Sequence, residues 1–541
     1  MQNEPKFPLM NLHTSGHRKG VVCAPHHAAV EAGRMALAEG GNAIEAMVAM
    51  AATIAVVYPH MNHVGGDGVW LIREPSGRAR ALIAAGRAGA RATQELYREQ
   101  ESIPTRGPLA ALTVPGAIAG WMLALEAARA HGARLPLIHL LGDAICHAGE
   151  GYAVTRAQAR LTTEKLAELE HVPGFAPTFL IDGKPPQVGQ VLKQPALAAM
   201  LDHLGRAGLD DFYRGDIGRE IASDLDSLGS PVTRGDLEGT RAALAEPLSV
   251  ALEAGTAFNS PPPTQGLASL MVLALFERLG VKDAEGFDHI HGLVEATKCA
   301  LRVRDAVVTD PDRLTHSVAR YLDAQFLDAQ AQAIDRRKAA AWPHSPAKIS
   351  AGDTVWMGSA DASGLVVSYL QSLYWEFGSG VVLPATGVLI QNRGASFSLD
   401  PGALNALAPG RLPFHTLSPA IAVLDDGRII ACGAMGGDGQ PQTQAAFFTR
   451  HVRFRQPIDR AIDAPRWLLG RTWGAERANL RLEARFDGNL IDRLASAGHD
   501  VELLPETYSD VMGHAGAAVL HPGGTLEAAH DPRADGGAAG I

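Results

Sequence analysis

The apolar and polar positions of the chain follow different periods in different segments, and the boundaries between segments predict its elements. From residue 24 to 58 the period is helical: an alanine-rich amphipathic segment, a break at 40–42, and a second helix (43–58) that is apolar almost throughout. Residues 69–86 predict two apolar strands around a Pro-Ser-Gly turn. A helical pattern then dominates 117–345. The chain therefore begins as mixed α and β and continues as a helical layer.

The pattern changes after residues 336–352, a basic, proline-containing stretch typical of an exposed flexible link. The next residues, TVWMGSA-DASG-LVVSYLQSLYW, predict a hairpin, and further strands or hairpins are predicted in VVLPATGVLIQN, AIAVLDDGRIIACGAM and AAVLHPGGTLEAA. Helices return near 443–463 and 488–498. Two β-rich portions, one at each end of the chain, are thus expected to meet in a sandwich of sheets with helices outside.

Length and charge limit the classes of partner. With 541 residues, 46% of them hydrophobic, the chain has material for a large globular core. The net charge of −10, without a dense run of Lys or Arg, disfavours nucleic acid and anionic membrane surfaces as partners. Residues 43–58 are shorter than the ~20 apolar residues of a membrane span and contain Glu45, so they predict a buried helix.

The cysteines and the N-terminal residues predict a cytoplasmic protein. The first twenty residues contain no apolar run long enough for a signal peptide. The cysteines are far apart and form no CxxC pair, as expected of reduced, mostly buried thiols: Cys23, Cys146, Cys299 and Cys432.

Most recognisable catalytic patterns are missing from the sequence. The glycine-rich stretches 62–70 and 433–440 do not match a nucleotide-binding fingerprint, so tight turns are the simpler interpretation. His26, His27, His60 and His63 lack the spacing of a metal site and are interpreted as structural. No GxSxG elbow is present, which sets the serine hydrolases aside. Neither a cofactor nor a metal is predicted.

Thr354 offers a different kind of chemistry. A threonine is a poor nucleophile unless a base lies beside it, and its own α-amine serves as that base only when the residue becomes N-terminal. A threonine that begins a strand directly after a flexible link fits such a design. From spacing alone, a threonine at a strand start can equally be a simple β-former, so both interpretations stay open at this point.

A resemblance that extends over nearly the whole chain bears on this choice. The sequence resembles the γ-glutamyltranspeptidase family of N-terminal nucleophile (Ntn) hydrolases in these stretches: GGNAIEAMVA (40–49), VVYPHMNHVGGDGVW (56–70), TVPGAIAGW (113–121), NSPPPTQG (259–266), HGLVEATKCALRVRD (291–305), GDTV (352–355), FGSGVVLPATGVLIQN (377–392), HTLSPAI (415–421), GAMGGDG (433–439), DAPRW (463–467) and AAHDPRADGGAAG (528–540). The resemblance implies an α+β fold, a four-layer αββα sandwich. It also implies a precursor that cuts itself between Asp353 and Thr354 into a large subunit (1–353) and a small subunit (354–541), with a homodimer of that unit as one possible assembly.

The resemblance implies roles for individual residues. Thr354 would be the nucleophile, and Ser372 would orient it and assist maturation. Gly436 and Gly437 match the glycine pair whose backbone N–H groups form the oxyanion hole of the family. Arg87, in AAGRAGARAT, resembles the arginine that grips the substrate carboxylate.

The substrate-binding positions depart from those of true transpeptidases. Where those enzymes hold the glutamyl α-ammonium, this chain has Tyr374, Arg393 and Ser396, and a Ser-Ser pair is replaced by His415 and Thr416. An arginine about 5 Å from an α-ammonium would oppose binding by roughly 3 kcal/mol at an effective dielectric constant of about 20. A short anionic amide suits this pocket better, and the same segments resemble the branch that includes oxamate amidohydrolases of purine or allantoin catabolism.

The leading hypothesis is a cofactor-free, self-processing amidohydrolase that converts oxamate, a small-molecule amide, to oxalate and ammonia. One alternative is a γ-glutamyl hydrolase or transpeptidase, or an acylase of another small amide. Another is an uncleaved homologue that only binds, against which the retained Thr354, Ser372 and glycine pair argue. The sequence leaves open the physiological amide, water or another acceptor, and the oligomeric state.

Overall fold

The computed structural model describes residues 11–342, 353–470 and 479–541. Its strands are β1 His13–His17, β2 Gly20–Ala24, β3 Asp67–Arg73, β4 Ala79–Ala84, β5 Tyr152–Ala153, β6 Val191–Leu192, β7 Ala243–Ala245, β8 Leu248–Leu252, β9 Gly255–Asn259, β10 Asp353–Asp361, β11 Val366–Tyr374, β12 Ala420–Leu424, β13 Ile429–Ala434, β14 Trp467–Gly470, β15 Asn479–Leu482, β16 Val501–Leu503, β17 Ala515–Leu520, β18 Leu526–His530 and β19 Gly537–Gly540. Its helices are α1 His27–Ala38, α2 Ala43–Val57, α3 Ala117–Arg129, α4 Leu137–Leu140, α5 Gly142–Glu150, α6 Arg156–Glu164, α7 Leu166–Leu169, α8 Phe175–Phe179, α9 Pro195–Ala207, α10 Asp211–Arg214, α11 Asp216–Leu228, α12 Arg234–Gly239, α13 Gly266–Arg278, α14 Phe287–Val307, α15 Ala324–Gln332, α16 Gln440–Phe448, α17 Ile458–Asp463 and α18 Gly488–Ser496.

Two seven-stranded antiparallel sheets form the centre of the fold. One has the order β1-β18-β17-β13-β12-β9-β8 and the other β19-β2-β10-β11-β3-β4-β7. Each sheet combines strands from both ends of the chain, so the two β-rich portions meet within each sheet of the sandwich. The reason is that β2 and β3 hydrogen-bond to the hairpin β10–β11 rather than to each other.

The alternation of side chains along β11 separates the layers. Val366 and Leu370 pack between the two sheets, against residues such as Ile421 and Ala518 of the other sheet. Tyr369, on the opposite face of β11, packs beneath the helical layer that contains α1, α2 and α3. Helices α13 and α16 cover the outer face of the other sheet, and α14 packs against α13. The predicted four-layer αββα sandwich is confirmed.

Helix α2 shows how a carboxylate is accommodated in a fully buried helix. Every residue of α2 is buried. Glu45 Oε2 accepts a hydrogen bond from the backbone N–H of Asn42, and Asn42 in turn caps the helix. Glu45 Oε1 accepts from the backbone N–H groups of Arg134 and Leu135 at 2.8 and 2.7 Å. The predicted buried helix is therefore confirmed, and within the described ranges no helix combines the length and apolarity needed to cross a membrane.

Several predicted elements differ from those observed. The predominantly helical range 117–345 also contains β7, β8 and β9, of which β8 and β9 complete the sheet that holds β13. The predicted hairpin in VVLPATGVLIQN is wrong: it reduces to a single bridge between Val382 and Leu389, with Pro384 and Gly387 between them. The hairpins at 354–374, 420–434 and 515–530 are confirmed.

The predicted link 336–352 is only partly within the described residues, since 343–352 lie outside them. The part that is described is held in place. Ala340 donates its N–H to Glu295 and accepts a hydrogen bond from Lys298 Nζ, and Ala339 donates to Ala497 O. This stretch is therefore anchored on α14 and on the residues after α18, contrary to a loose link.

Candidate active site

Thr354 and Ser372 meet where the hairpin β10–β11 opens. The register of the hairpin shifts between Asp353 and Val355, so an irregularity of the strand lies at Thr354. Thr354 is 1% exposed, and its Oγ1 donates to Ser372 Oγ at 3.0 Å. Ser372 Oγ also accepts the backbone N–H of Tyr374 at 2.8 Å, which fixes the position of the serine hydroxyl.

Tyr374 lies directly beneath the guanidinium of Arg393. Its backbone is in the left-handed region with φ +85°, which is uncommon for an aromatic residue and sets the direction of the ring. Arg393 Cζ lies 3.4 Å from the centroid of that ring, a cation–π arrangement. Burial raises the pKa of Tyr374, so its hydroxyl stays neutral.

Arg393 is a buried cation with unused donors. It is 1% exposed, and its Nη1 donates to Thr416 Oγ1 at 3.2 Å. Its Nε and Nη2 have no hydrogen-bond partner among the described residues. Burial lowers the pKa of Arg393 from its ordinary value. A desolvated guanidinium with free N–H groups is costly unless an anion pairs with it, so the arrangement favours binding of a carboxylate.

The glycine pair follows β13 in a tight turn. Gly436 and Gly437 have φ values of +115° and +52°, and a 3₁₀ turn over Gly437–Gly439 leads into α16. The carbonyl of Gly437 accepts a hydrogen bond from Gln265 Nε2 at 2.7 Å, and the same nitrogen donates to Thr416 O at 2.6 Å. Hydrogen bonds and one cation–π contact thus form a continuous path from Thr354 to the glycine turn, through Ser372, Tyr374, Arg393, Thr416, Gln265 and Gly437.

His415 is oriented by a carboxylate. Its Nε2 lies 3.1 Å from Asp67 Oδ2, and its Nδ1 accepts the N–H of Leu417 at 3.4 Å. Burial lowers the pKa of His415, which keeps the ring neutral. With Nδ1 as acceptor, the proton of the neutral ring lies on Nε2 and is donated to Asp67. His415 therefore shapes the pocket wall rather than presenting a free cation.

Asp67 is a residue of the candidate site that the sequence analysis does not identify. Its Oδ1 accepts from the backbone N–H of Gly86, the backbone N–H of Gly116 and Gln391 Nε2. Its neighbour Gly66 allows close packing, since a Cβ there would lie 2.1 Å from Ser372 O. The sequence predicts only a tight turn over the motif GGDG at 65–68, although an acid between glycines directly before the apolar run VWLI is a signal that marks Asp67.

Two other predicted residues are bound elsewhere. Ser396 Oγ donates to Phe414 O at 3.1 Å, so its hydroxyl is engaged with the backbone. Arg87 is half-exposed, and its guanidinium binds Asp312 Oδ2 at 2.9 Å and Gly410 O at 2.9 Å. No contact among the described residues joins the Arg87 side chain to Thr354 or Arg393, so the structure does not bring it together with the other predicted residues.

Three of the four histidines considered as metal ligands, His26, His60 and His63, are buried, but they are not saturated with hydrogen bonds. Both ring nitrogens of His60 and the Nε2 atoms of His26 and His63 have no partner among the described residues, and burial lowers the pKa of each.

A different group has the spacing of a metal site. His291, Glu295 and His499 have ligand atoms within 4.8 Å of one another. The two histidines hydrogen-bond to each other at 2.8 Å, and Glu295 pairs with Lys298 at 2.7 Å. These contacts occupy ligand atoms of all three residues and pair Glu295 with an ammonium, so the group does not fit a metal in this arrangement.

The whole chain is similar to known proteins of one family. The gamma-glutamyltranspeptidase family model matches residues 29–541. The chain is 52% identical to the oxamate amidohydrolase proenzyme of Klebsiella pneumoniae subsp. pneumoniae, over 96% of this chain and 98% of that protein. It is 38% identical to the glutathione hydrolase-like YwrD proenzyme of Bacillus subtilis, over 97% and 98%. Its structure is similar to that of cephalosporin acylase from Bacillus halodurans, with a TM-score of 0.89, 29% identity, and 100% and 99% coverage.

Proposed function

The chain belongs to the gamma-glutamyltranspeptidase family, and from this premise we propose that it is a self-processing amidohydrolase that converts oxamate to oxalate and ammonia through an acyl-enzyme on Thr354. The resemblance to the oxamate amidohydrolase proenzyme supports the substrate. The retained nucleophile, the serine beside it and the glycine turn support catalysis rather than binding alone.

The observation that carries the proposal is the partly unpaired guanidinium of Arg393. Oxamate has a carboxylate bonded directly to its amide carbon, so the anion and the reacting carbonyl must be bound close together. Arg393 is linked to Thr354 through only Tyr374 and Ser372, and it offers two N–H-bearing atoms without a partner among the described residues. We propose that Arg393 holds the substrate carboxylate, in place of the Arg87 predicted from the sequence.

Maturation would begin with cleavage of the Asp353–Thr354 bond. Thr354 Oγ attacks the carbonyl carbon of Asp353, the peptide C–N bond breaks, and the acyl group moves from nitrogen to oxygen. Water then hydrolyses the ester, which releases the carboxylate of residue 353 and the α-amine of Thr354. The products are the subunits 1–353 and 354–541, and the similar proteins named as proenzymes support this processing.

The freed α-amine then acts as the base. An ordinary α-amine has a pKa of about 8, which leaves a neutral fraction near pH 7 that can take the proton of Thr354 Oγ. The oxygen attacks the amide carbon, and the N–H groups at Gly436 and Gly437 stabilise the oxyanion. Ammonia leaves with the proton from the α-ammonium, and an oxalyl ester remains on Thr354. Water attacks this ester, oxalate leaves, and the hydroxyl of Thr354 is restored.

Glutathione hydrolysis is the second candidate, because one relative is named a glutathione hydrolase-like proenzyme. A γ-glutamyl substrate carries an α-ammonium that would meet the Arg393 guanidinium. The hydrogen-bond partner of that guanidinium is the hydroxyl of Thr416 and not a carboxylate, so no directly paired anion would offset the repulsion between the two cations. Tyr374 also occupies the space in front of that guanidinium. Both features favour a short anionic amide.

The cleaved enzyme distinguishes these candidates with three substrates. Ammonia release from oxamate is compared with ammonia release from oxamide, its neutral isostere, and with p-nitroaniline release from γ-glutamyl-p-nitroanilide. We expect kcat/KM to be highest for oxamate. A preference for the glutamyl compound would establish the second candidate instead, and an uncleaved protein that turns over none of them would indicate a binding homologue. We also propose the cytoplasmic location that the spacing of the four cysteines predicts.

A further inference from the structure

Gln265 connects the glycine turn to the wall of the anion pocket. It is fully buried and lies at the N-terminus of α13, directly after the segment SPPPT. One nitrogen of its amide donates to two main-chain carbonyls, those of Thr416 at 2.6 Å and Gly437 at 2.7 Å. Thr416 carries the hydroxyl that binds Arg393, and Gly437 is half of the proposed oxyanion hole.

Arg304 fixes the orientation of this amide. Its Nη1 donates to Gln265 Oε1 at 2.7 Å and to Asp438 Oδ1 at 2.6 Å. Burial works against the charge of Arg304, but the carboxylates of Asp438 and Asp305 outweigh that effect and raise its pKa. A guanidinium can only donate, so the side of the Gln265 amide that faces it must be the oxygen. The NH₂ group is thereby directed at the two carbonyls.

We infer that Gln265 is a positioning residue that sets the spacing between the oxyanion donors and the guanidinium that binds the substrate carboxylate. The inference rests on the proposed function. The two carbonyls belong to residues 21 positions apart in sequence, and in the described part of the chain Gln265 donates to both from a single nitrogen. Without that nitrogen, the buried carbonyls of Thr416 and Gly437 each lose a donor. The segments that contain these two residues then no longer share a hydrogen-bond partner.

Oxamate makes this spacing important. Its carboxylate and amide carbons are directly bonded, so the substrate has no flexible atoms that could absorb a displacement of one anchor relative to the other. A displacement of about 1 Å at a reacting centre can cost on the order of 10²-fold in rate. Binding of the carboxylate alone depends on Arg393 and Thr416, and it is less sensitive to where the glycine turn lies.

Two substitutions separate the donor role from a general packing role. Gln265→Met removes both the donor and the acceptor without adding a charge. Gln265→Glu keeps the volume and a partner for Arg304 but removes the N–H groups. Gln194→Met is the matched control, because Gln194 is also a buried glutamine whose Nε2 donates to a backbone carbonyl, that of Val56, at 2.9 Å.

The measurements are kcat for oxamate and the inhibition constant of oxalate, both on the cleaved enzyme. For both Gln265 variants we expect kcat to fall on the order of 10²-fold while the inhibition constant of oxalate changes by less than about 3-fold. The Gln194→Met enzyme should match wild type in both.

Each other outcome overturns the inference. If Gln265→Glu keeps the wild-type kcat, the residue serves only as a partner for Arg304. Parallel losses of kcat and oxalate affinity would indicate a general collapse of the pocket, and a failure of both variants to be cleaved would place the residue in folding or maturation. A wild-type enzyme that does not hydrolyse oxamate refutes the proposed function itself, whereas an active wild type with an unaffected Gln265→Met variant refutes only the role of Gln265.

Discussion

The hydroxyl of Thr354 donates a hydrogen bond to the hydroxyl of Ser372, its neighbour across the hairpin, at 3.0 Å. Both residues are almost fully buried, and the N–H of Tyr374 holds the serine oxygen in place. The strand register therefore presents the proposed nucleophile to a fixed partner before any cleavage of the chain.

Cleavage should depend on the Thr354 hydroxyl. Purified wild-type protein should separate into fragments of 353 and 188 residues, as follows from cleavage before residue 354 of 541. Thr354→Ala should stay at full length, because it lacks the attacking oxygen. Denaturing electrophoresis and N-terminal sequencing check this, and a new N-terminus at any other residue would contradict it.

Ser372→Ala should slow both cleavage and turnover while the protein stays folded. The variant loses one orienting hydrogen bond, commonly worth about 0.5 to 1.5 kcal/mol, so we expect rates about 2- to 12-fold lower. Ser359→Ala is the control on the neighbouring strand, since Ser359 is buried and donates to Ala43 O away from Thr354. Equal effects of both substitutions on kcat would mean that Ser372 has no special role.

Gly437→Val should abolish most of the activity. Gly437 has φ +52°, and a branched side chain there would displace the turn whose N–H groups form the proposed oxyanion hole. Loss of such a donor costs about 10²-fold or more in kcat. Gly229→Val controls for the conformational strain, because Gly229 also has a positive φ, +80°, and a Cβ there would meet no atom within 4 Å. Wild-type kcat in the Gly437 variant would refute the oxyanion role.

Arg393→Met should affect the anionic substrate selectively. A buried charged hydrogen bond is commonly worth about 1.5 to 3 kcal/mol, so kcat/KM for oxamate should fall roughly 10- to 150-fold. The neutral oxamide should be affected much less. Arg87→Met should change oxamate turnover little, because its guanidinium is bound to Asp312 and half-exposed. The reverse ranking of the two arginines would restore the assignment made from the sequence.

Stability should decrease as the pH falls below about 6.5. Burial lowers the pKa of His289, His499 and His530 to about 3, from an ordinary value of 6.5. Between these values the unfolded chain binds more protons than the folded one, so stability is complete above pH 6.5 and is lost on acidification. The loss is at most about 1.4 kcal/mol per pH unit for each histidine.

Thermal unfolding from pH 5 to pH 8 measures this dependence. His289→Gln should make Tm less sensitive to pH, because it removes one of the buried titrating groups. His171→Gln should not, since the His171 side chain is 91% exposed. A Tm that does not change between pH 7 and pH 5 would contradict the expected direction.

The sequence by itself determined the elements with strong periods and the family-specific residues. The hairpin at 354–374 has apolar positions over its whole length and a polar turn, and its pairing alone places Thr354 near Ser372. The buried helix α2 was equally clear. Strand β8 was missed because only alternate residues are buried, in a short edge strand between helical segments. Such a strand carries little hydrophobic signal of its own.

Only the tertiary structure decided which distant groups share the site. The charges of Arg87 and Arg393 are equally visible in the sequence. In the structure, Arg87 binds Asp312 at the surface. Arg393 instead lies buried over the ring of Tyr374, and two of its nitrogens have no partner among the described residues. Gln265 meets Gly437 across 172 positions of sequence. Periodicity is a local property of neighbouring residues, whereas desolvation and hydrogen-bond partners depend on which layers of the sandwich pack together.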